Sequence, residues 1–117
     1  MSEKAKSVPQ IVSYEEFSKM DLRIGKIVKA EHVPDSRNLV KLMIDVGSGE
    51  MRQGLAGIAQ IYSPEGLEGK HVAIIVNLQP RRMFGLESNV MILAAEDEAT
   101  ISLLQPDKPV KVGSKIK

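Results

Sequence analysis

The stretch Asn77-Leu78-Gln79-Pro80-Arg81-Arg82-Met83-Phe84-Gly85-Leu86-Glu87-Ser88-Asn89-Val90-Met91-Ile92-Leu93-Ala94-Ala95 decides how the rest of the chain is read. A β-branched run, His71 to Val76, leads into it, and an apolar run, Val90 to Ala95, leads out. Pro80 and Gly85 punctuate the interval, so the segment reads as strand, loop, strand. The loop sets Arg81 and Arg82 beside Met83 and Phe84, with Ser88 and Asn89 just before the second strand. Guanidiniums match phosphate oxygens, and an adjacent apolar pair suits a base surface, so the loop is a candidate nucleic-acid contact. Paired arginines are also common on surfaces that bind nothing, and this alternative stays open on residue chemistry alone.

Outward from that loop, the remaining pattern is a succession of strands. Asp21 to Val33 reads as one long strand with Leu22, Ile24, Ile27, Val28 and Ala30 as apolar members. Its alternation slips near Gly25, where a bulge or sharp coil is expected. Val40, Leu42, Ile44 and Val46 alternate with Lys41, Met43 and Asp45, the mark of a half-buried strand. Gly47-Ser48-Gly49 turns into a third strand from Met51 to Ala59, whose Gly54, Ala56 and Gly57 permit close backbone approach. Two short helices are expected. Ser13 and Glu16 have capping-box spacing, with Val12 and Phe17 placed as a hydrophobic staple, for a helix from Tyr14 to about Met20 that buries Phe17 and Met20. Ser63-Pro64-Glu65 starts the other, with Gly69 as its stop. Residues 1–12 are lysine-bearing and interrupted by Pro9, and are expected to form a mobile arm ahead of a single domain over 13–117.

Composition excludes several classes. At 117 residues the chain holds one core and not two. No apolar run approaches the ~20 residues that span a bilayer, and the lysine-bearing start has no apolar signal core. There is no cysteine, which excludes thiol chemistry and disulfides and fits a reducing cytoplasm. His32 and His71 lie far apart without metal-ligand spacing, and neither GxGxxG nor GxxxxGK[ST] occurs. Asp45 and Glu50 flank a turn and read as solvated, and Ser88 has no histidine near it in sequence. No catalytic role and no cofactor are expected. With 16 Lys+Arg against 15 Asp+Glu, net charge is +1, so nucleic-acid binding would need local clustering of cations. Two Tyr, two Phe and no Trp leave too few rings for the stacking platform of a general single-strand binder.

The segment from Asn77 resembles the hallmark of the OB-fold tRNA-binding domain family, roughly N-L-x-P-R-K-[apolar]-x-G-[apolar]-x-S-x-G-M. That family includes the C-terminal appendage of methionyl-tRNA synthetases, free-standing tRNA-binding proteins and export chaperones of the CsaA type. The resemblance covers about Ile11 to Lys117. It implies an all-β, five-stranded Greek-key OB barrel with a short N-terminal helix, a plug helix between strands three and four, and a C-terminal extension packed outside the barrel that helps form a homodimer. It implies structure-specific, largely sequence-independent tRNA binding, with a methionyl-tRNA synthetase catalytic chain as a further partner. A peptide-binding export chaperone is the alternative.

In such a barrel the loops after strands one and four flank one face. That would gather Arg37, Asn38, Lys41, Arg52, Arg81, Arg82 and Ser88, and the family pattern adds Asn77 and Met91. Glu65, Glu68 and Glu96 to Glu98 are expected to lie elsewhere. Two positions depart from the family pattern: Asn38 stands where lysine is usual, and Val90 where glycine precedes Met91.

Overall fold

The computed structural model describes residues 10–117; most of the expected N-terminal arm lies outside them. Five antiparallel strands form one sheet in the order β3-β2-β1-β4-β7. They are β1 (Leu22–His32), β2 (Val40–Asp45), β3 (Met51–Ala56), β4 (His71–Ile75) and β7 (Met91–Ile92). The first strand is shared: Leu22 to Lys26 pair with β4, and Lys26 to His32 pair with β2. One long strand thereby serves both halves of the sheet and bends it toward closure. Closure comes between β3 and the segment entering β7, where Asn89 donates its N–H to the Gln53 carbonyl at 2.8 Å. The result is a five-stranded barrel of the OB kind.

The bend in β1 differs in place from the expected one. Register shifts between Ile27 and Lys29, so the extra residue is Val28, which is left 44% exposed. Gly25 serves close packing instead: a Cβ there would lie 2.6 Å from Ile74 Cδ1 and 2.9 Å from Ile44 Cγ2. The core below is aliphatic. Ile27, Val40, Leu42, Ile44, Val46, Val72 and Ile74 are fully enclosed, and β2 alternates buried and half-buried positions as its sequence predicts.

The plug is a single turn, α2 (Pro64–Leu67), with the Ser63 hydroxyl accepting from the Gly66 N–H and Pro64 at the first position. It closes the barrel floor with Leu67, which has no exposure, while the following Glu68 carboxylate accepts from the Ala30 N–H at 3.1 Å. The N-terminal helix α1 (Tyr14–Ser18) has the expected capping box but stops two residues early. Its apolar residues are not buried: Phe17 is 37% and Met20 36% exposed, with Val12 at 64%. The local cap was legible, but no core lies beneath this helix to cover them.

Four other elements depart from expectation. The arginine loop is itself a hairpin, β5 (Arg81–Met83) and β6 (Leu86–Ser88). The run Val90 to Ala95 divides at Leu93 into β7 and β8 (Ala94–Glu96), because the chain there leaves β4 and pairs with β9 (Ile101–Leu103). Strand β3 ends at Ala56 rather than Ala59, whose N–H instead donates to the Asn38 carbonyl at 2.9 Å. The C-terminal segment does not simply lie outside the barrel. Leu103 joins the core, and Ala73 N–H donates to the Leu104 carbonyl. Gly113 to Ile116 run along the edge of β1 that β2 leaves open, through Ile24 N–H to the Ser114 carbonyl and Ile116 N–H to the Leu22 carbonyl. An otherwise unpaired edge is covered this way.

Candidate functional site

The β5–β6 hairpin is pinned to the barrel at its base. Gln53 donates from Nε2 to the Glu87 carbonyl at 2.8 Å. Ser88 Oγ accepts from the Leu55 N–H at 3.2 Å and donates to the Val90 carbonyl at 3.1 Å. A loop with these anchors is a fixed platform. Because side chains alternate across a strand, the cross-strand pairs Arg81–Ser88 and Met83–Leu86 share one side of the hairpin and Arg82–Glu87 the other. Ser88 is bonded to β3, so its side is the barrel side. The two arginines therefore lie on opposite faces.

Arg81 faces a groove. With Met91 and Leu55 it lines a shallow cleft that continues along Ala56, Gly57 and Ile58 toward Ala94. Ala56, Gly57 and Ala94 are the small residues of its lining. On the interior side, opposite Leu42, Gly54 lets β3 approach the segment entering β7: an added Cβ there would come within 3.0 Å of the Val90 carbonyl oxygen. Val90 itself is buried, and its neighbour Met91 is 44% exposed. Valine in place of glycine therefore points into the core and leaves the outer face of the groove unobstructed.

The other sequence-predicted residues divide into two groups. Arg37, Asn38, Arg81 and Arg82 are exposed, and among the described residues neither Arg81 nor Arg82 has an acidic partner within 4 Å. The rest are engaged within the fold. Lys41 Nζ lies 3.6 Å from Glu31 Oε2. Arg52 pairs with Glu50 at 2.9 Å and donates to the Val76 carbonyl at 2.6 Å, joining β3 to the end of β4. Asn77 is a clamp: its Oδ1 accepts from the Asp21 N–H at 2.8 Å, and its Nδ2 donates to the Lys19 carbonyl at 2.7 Å. It fixes the junction of α1 and β1 against the start of the arginine segment.

A similar device lies next to that clamp and escaped sequence reasoning. Arg23 holds Asp21 through two bonds, at 3.0 and 2.9 Å, and donates to the Val46 carbonyl at 2.9 Å. The Arg23 guanidinium holds the Asp21 carboxyl below its ordinary range. The i, i+2 spacing on one strand face was the available signal.

The acidic turn departs from expectation. Glu96, Asp97 and Glu98 line one cleft with Asn38, Gly57 and Ile58, at the far end of the same face. Hydrogen bonds from the Ala99 and Thr100 N–H groups hold the Asp97 carboxyl below its usual range, so it stays charged near neutrality. The face is polarised: the Arg81 guanidinium at the hairpin, carboxylates beside the β1–β2 loop. Among the described residues there is no cluster of three metal-ligating side chains, and no helix is long and apolar enough to cross a membrane.

Comparison with known proteins agrees with this architecture. Methionine–tRNA ligase of Methanoculleus marisnigri is 55% identical over 107 residues, and that of Pyrococcus furiosus 47% over 108. Each match takes in 92% of this chain but only 16% and 15% of the ligase, so the chain spans about one sixth of these relatives. Among solved structures, the MetRS-related protein of Pyrococcus horikoshii superposes with a TM-score of 0.86 at 34% identity, over 93% of this chain and the whole of that one. The chaperone CsaA of Bacillus anthracis superposes at 0.83 with 37% identity, over 92% of this chain and all of its own. The family model described as "Putative tRNA binding domain" matches residues 22–115. The chain belongs to the tRNA-binding domain family.

Proposed function

We propose that this protein binds folded tRNA, reading its shape and phosphates more than its sequence, and has no chemistry of its own. The observation that carries this is the hairpin: two exposed guanidiniums without acidic partners among the described residues, on a platform bonded to the barrel, with Arg81 beside a groove that Ala56 and Gly57 help line. Guanidiniums held on a rigid element are suited to bidentate phosphate contact. Among the described residues, three of four rings lie away from the hairpin: Tyr14 and Phe17 at α1, and Tyr62 bonded to Leu103. Long single strands would find little to stack on.

The likeness to methionine–tRNA ligases and to a MetRS-related protein supports a role in supplying tRNA affinity to a methionyl-tRNA synthetase, as a β-subunit-like or free-standing chain in the cytoplasm. In that role Arg37, Asn38, Arg81, Arg82 and Met91 face the RNA. Arg52, Asn77 and Ser88 shape the surface from within the fold, and Lys41 lies beside Leu55 on the neighbouring strand, next to Glu31. A homodimer is part of the same reading.

One observation favours a second function. Leu78 and Met91 are each 44% exposed at the groove, Phe84 is 61% exposed at the hairpin turn, and the CsaA chaperone shares the fold at 37% identity. Such a surface suits unfolded peptide. Titration with total tRNA at two salt concentrations separates the two. Binding that falls steeply with salt, through release of condensed counterions, is the outcome expected here. Tight, salt-tolerant peptide binding with no measurable tRNA binding at low salt would establish the chaperone reading instead.

A further inference from the structure

Phe84 occupies a position that its own backbone disfavours. The hairpin closes with a two-residue turn, Phe84-Gly85, between the paired residues Met83 and Leu86. Both turn residues have positive φ, 52° and 76°, as in a type I′ turn. Gly85 suits that geometry. At the first position Asn, Asp or Gly is strongly preferred, and a bulky aromatic there is an outlier. The sequence nonetheless holds phenylalanine, and folding does not compensate for it. The ring is 61% exposed, joins no aromatic pair among the described residues, and is absent from the core.

A residue that breaks a local rule with no packing gain is retained for a surface role. The surroundings indicate which. Arg81 and Arg82 stand three and two residues away, without acidic partners among the described residues, on a hairpin whose base is bonded to β3. A flat apolar ring beside guanidiniums matches a nucleobase, which has a phosphate on either side, better than an unfolded peptide, whose charge varies with its sequence.

We infer that Phe84 is a stacking residue, its ring taking an unpaired base of the folded RNA whose phosphates Arg81 and Arg82 hold. This rests on the tRNA-binding reading and adds to it a base contact that is indifferent to base identity, since every base has a π-face.

The test compares the parent chain with Phe84→Leu, Phe84→Asn and Phe84→Tyr, using total tRNA and a long, fully paired RNA duplex as probes. Leucine keeps apolar bulk without the ring. Asparagine creates the Asn-Gly pair that the turn prefers, and so raises Tm while removing the ring. Tyrosine keeps the ring. The Leu and Asn variants should bind tRNA about tenfold or more weakly, with the parent's salt slope, and the Tyr variant like the parent. Duplex binding, which offers no unpaired base, should be unchanged in all three.

Leu and Asn variants that bind tRNA as tightly as a salt-sensitive parent overturn the stacking role while the tRNA-binding reading stands. Loss of unfolded-peptide capture in those variants, with tRNA binding intact, assigns the ring to a peptide surface and overturns it as well. A parent that fails to bind tRNA at low salt removes both.

Discussion

At the scale of single residues, the alternation of the hairpin separates side chains that adjacency in sequence makes look equivalent. Arg81 is on the groove side with Ser88, and Arg82 is on the outer side opposite Glu87. Phosphates seated in the groove would meet Arg81 directly, whereas Arg82 acts through a solvent-exposed charge next to a carboxylate. Arg81→Ala should flatten the salt slope of tRNA binding by about one unit, and Arg82→Ala by less. Equal slopes in the two variants would place phosphates on both faces of the hairpin rather than in the groove alone. Ser88 belongs to a different class. Its hydroxyl satisfies the Leu55 N–H and engages the Val90 carbonyl, so Ser88→Ala leaves a part-buried donor unpaired. The expected cost is about 1–3 kcal/mol of folding stability, with the salt slope unchanged. Denaturant unfolding beside the binding titration reads both quantities.

Among the elements, those specified by local chemistry were legible and those specified by distant partners were not. The Ser13–Glu16 capping box and the Ser63-Pro64 start work within one turn, and both stand as the sequence predicts. The alternation of β2 is equally local, since a strand with one buried face must write its period into its residues. The bulge at Val28 is different, because it arises where β1 changes partners, and Gly25 drew attention away from it. The hairpin strands are three residues each and carry arginine, glutamate and serine, so no propensity signals them. In the groove, Arg81 is legible from residue chemistry and Met91 from the family pattern, but the internal duties of Asn77 and Arg52 depend on contacts 24 to 58 residues away.

The Asp21–Arg23 pair at the entry to β1 has a testable consequence. Arg23 lowers the Asp21 pKa on folding, so the contribution is fully present above the unfolded value near 3.8. It is lost as pH falls through the folded value. Asp21→Asn should lower Tm at pH 7, and the difference from the parent should close on acidification below about pH 4. A Tm difference that persists undiminished at pH 2 would show that Asp21 stabilises through something other than its charge.

For the whole molecule, the C-terminal segment is both part of the barrel and the proposed route to a dimer. Ile101, Leu103, Leu104 and Val110 are apolar residues of the C-terminal extension that the family resemblance assigns to a homodimer. The fold withdraws Leu103 into the core and half-buries Ile101, leaving Leu104 and Val110 at 43% and 44% exposure. Truncation after Glu98 would remove β9, the Leu103 core contact and the segment that covers the edge of β1. Its expected product is therefore an unfolded or aggregated chain, which reports on folding and not on assembly. Surface substitutions avoid that confusion. In an isologous interface each exposed residue appears twice about the axis, so one changed position alters two contacts. Leu104→Asp with Val110→Asp should convert a dimer into a monomer that keeps the parent's far-ultraviolet dichroism. Light scattering distinguishes the outcomes. A monodisperse monomer for the unaltered chain excludes the dimer, whereas a dimer that survives both aspartates locates the twofold surface elsewhere, with the exposed apolar residues of α1 as the next place to substitute.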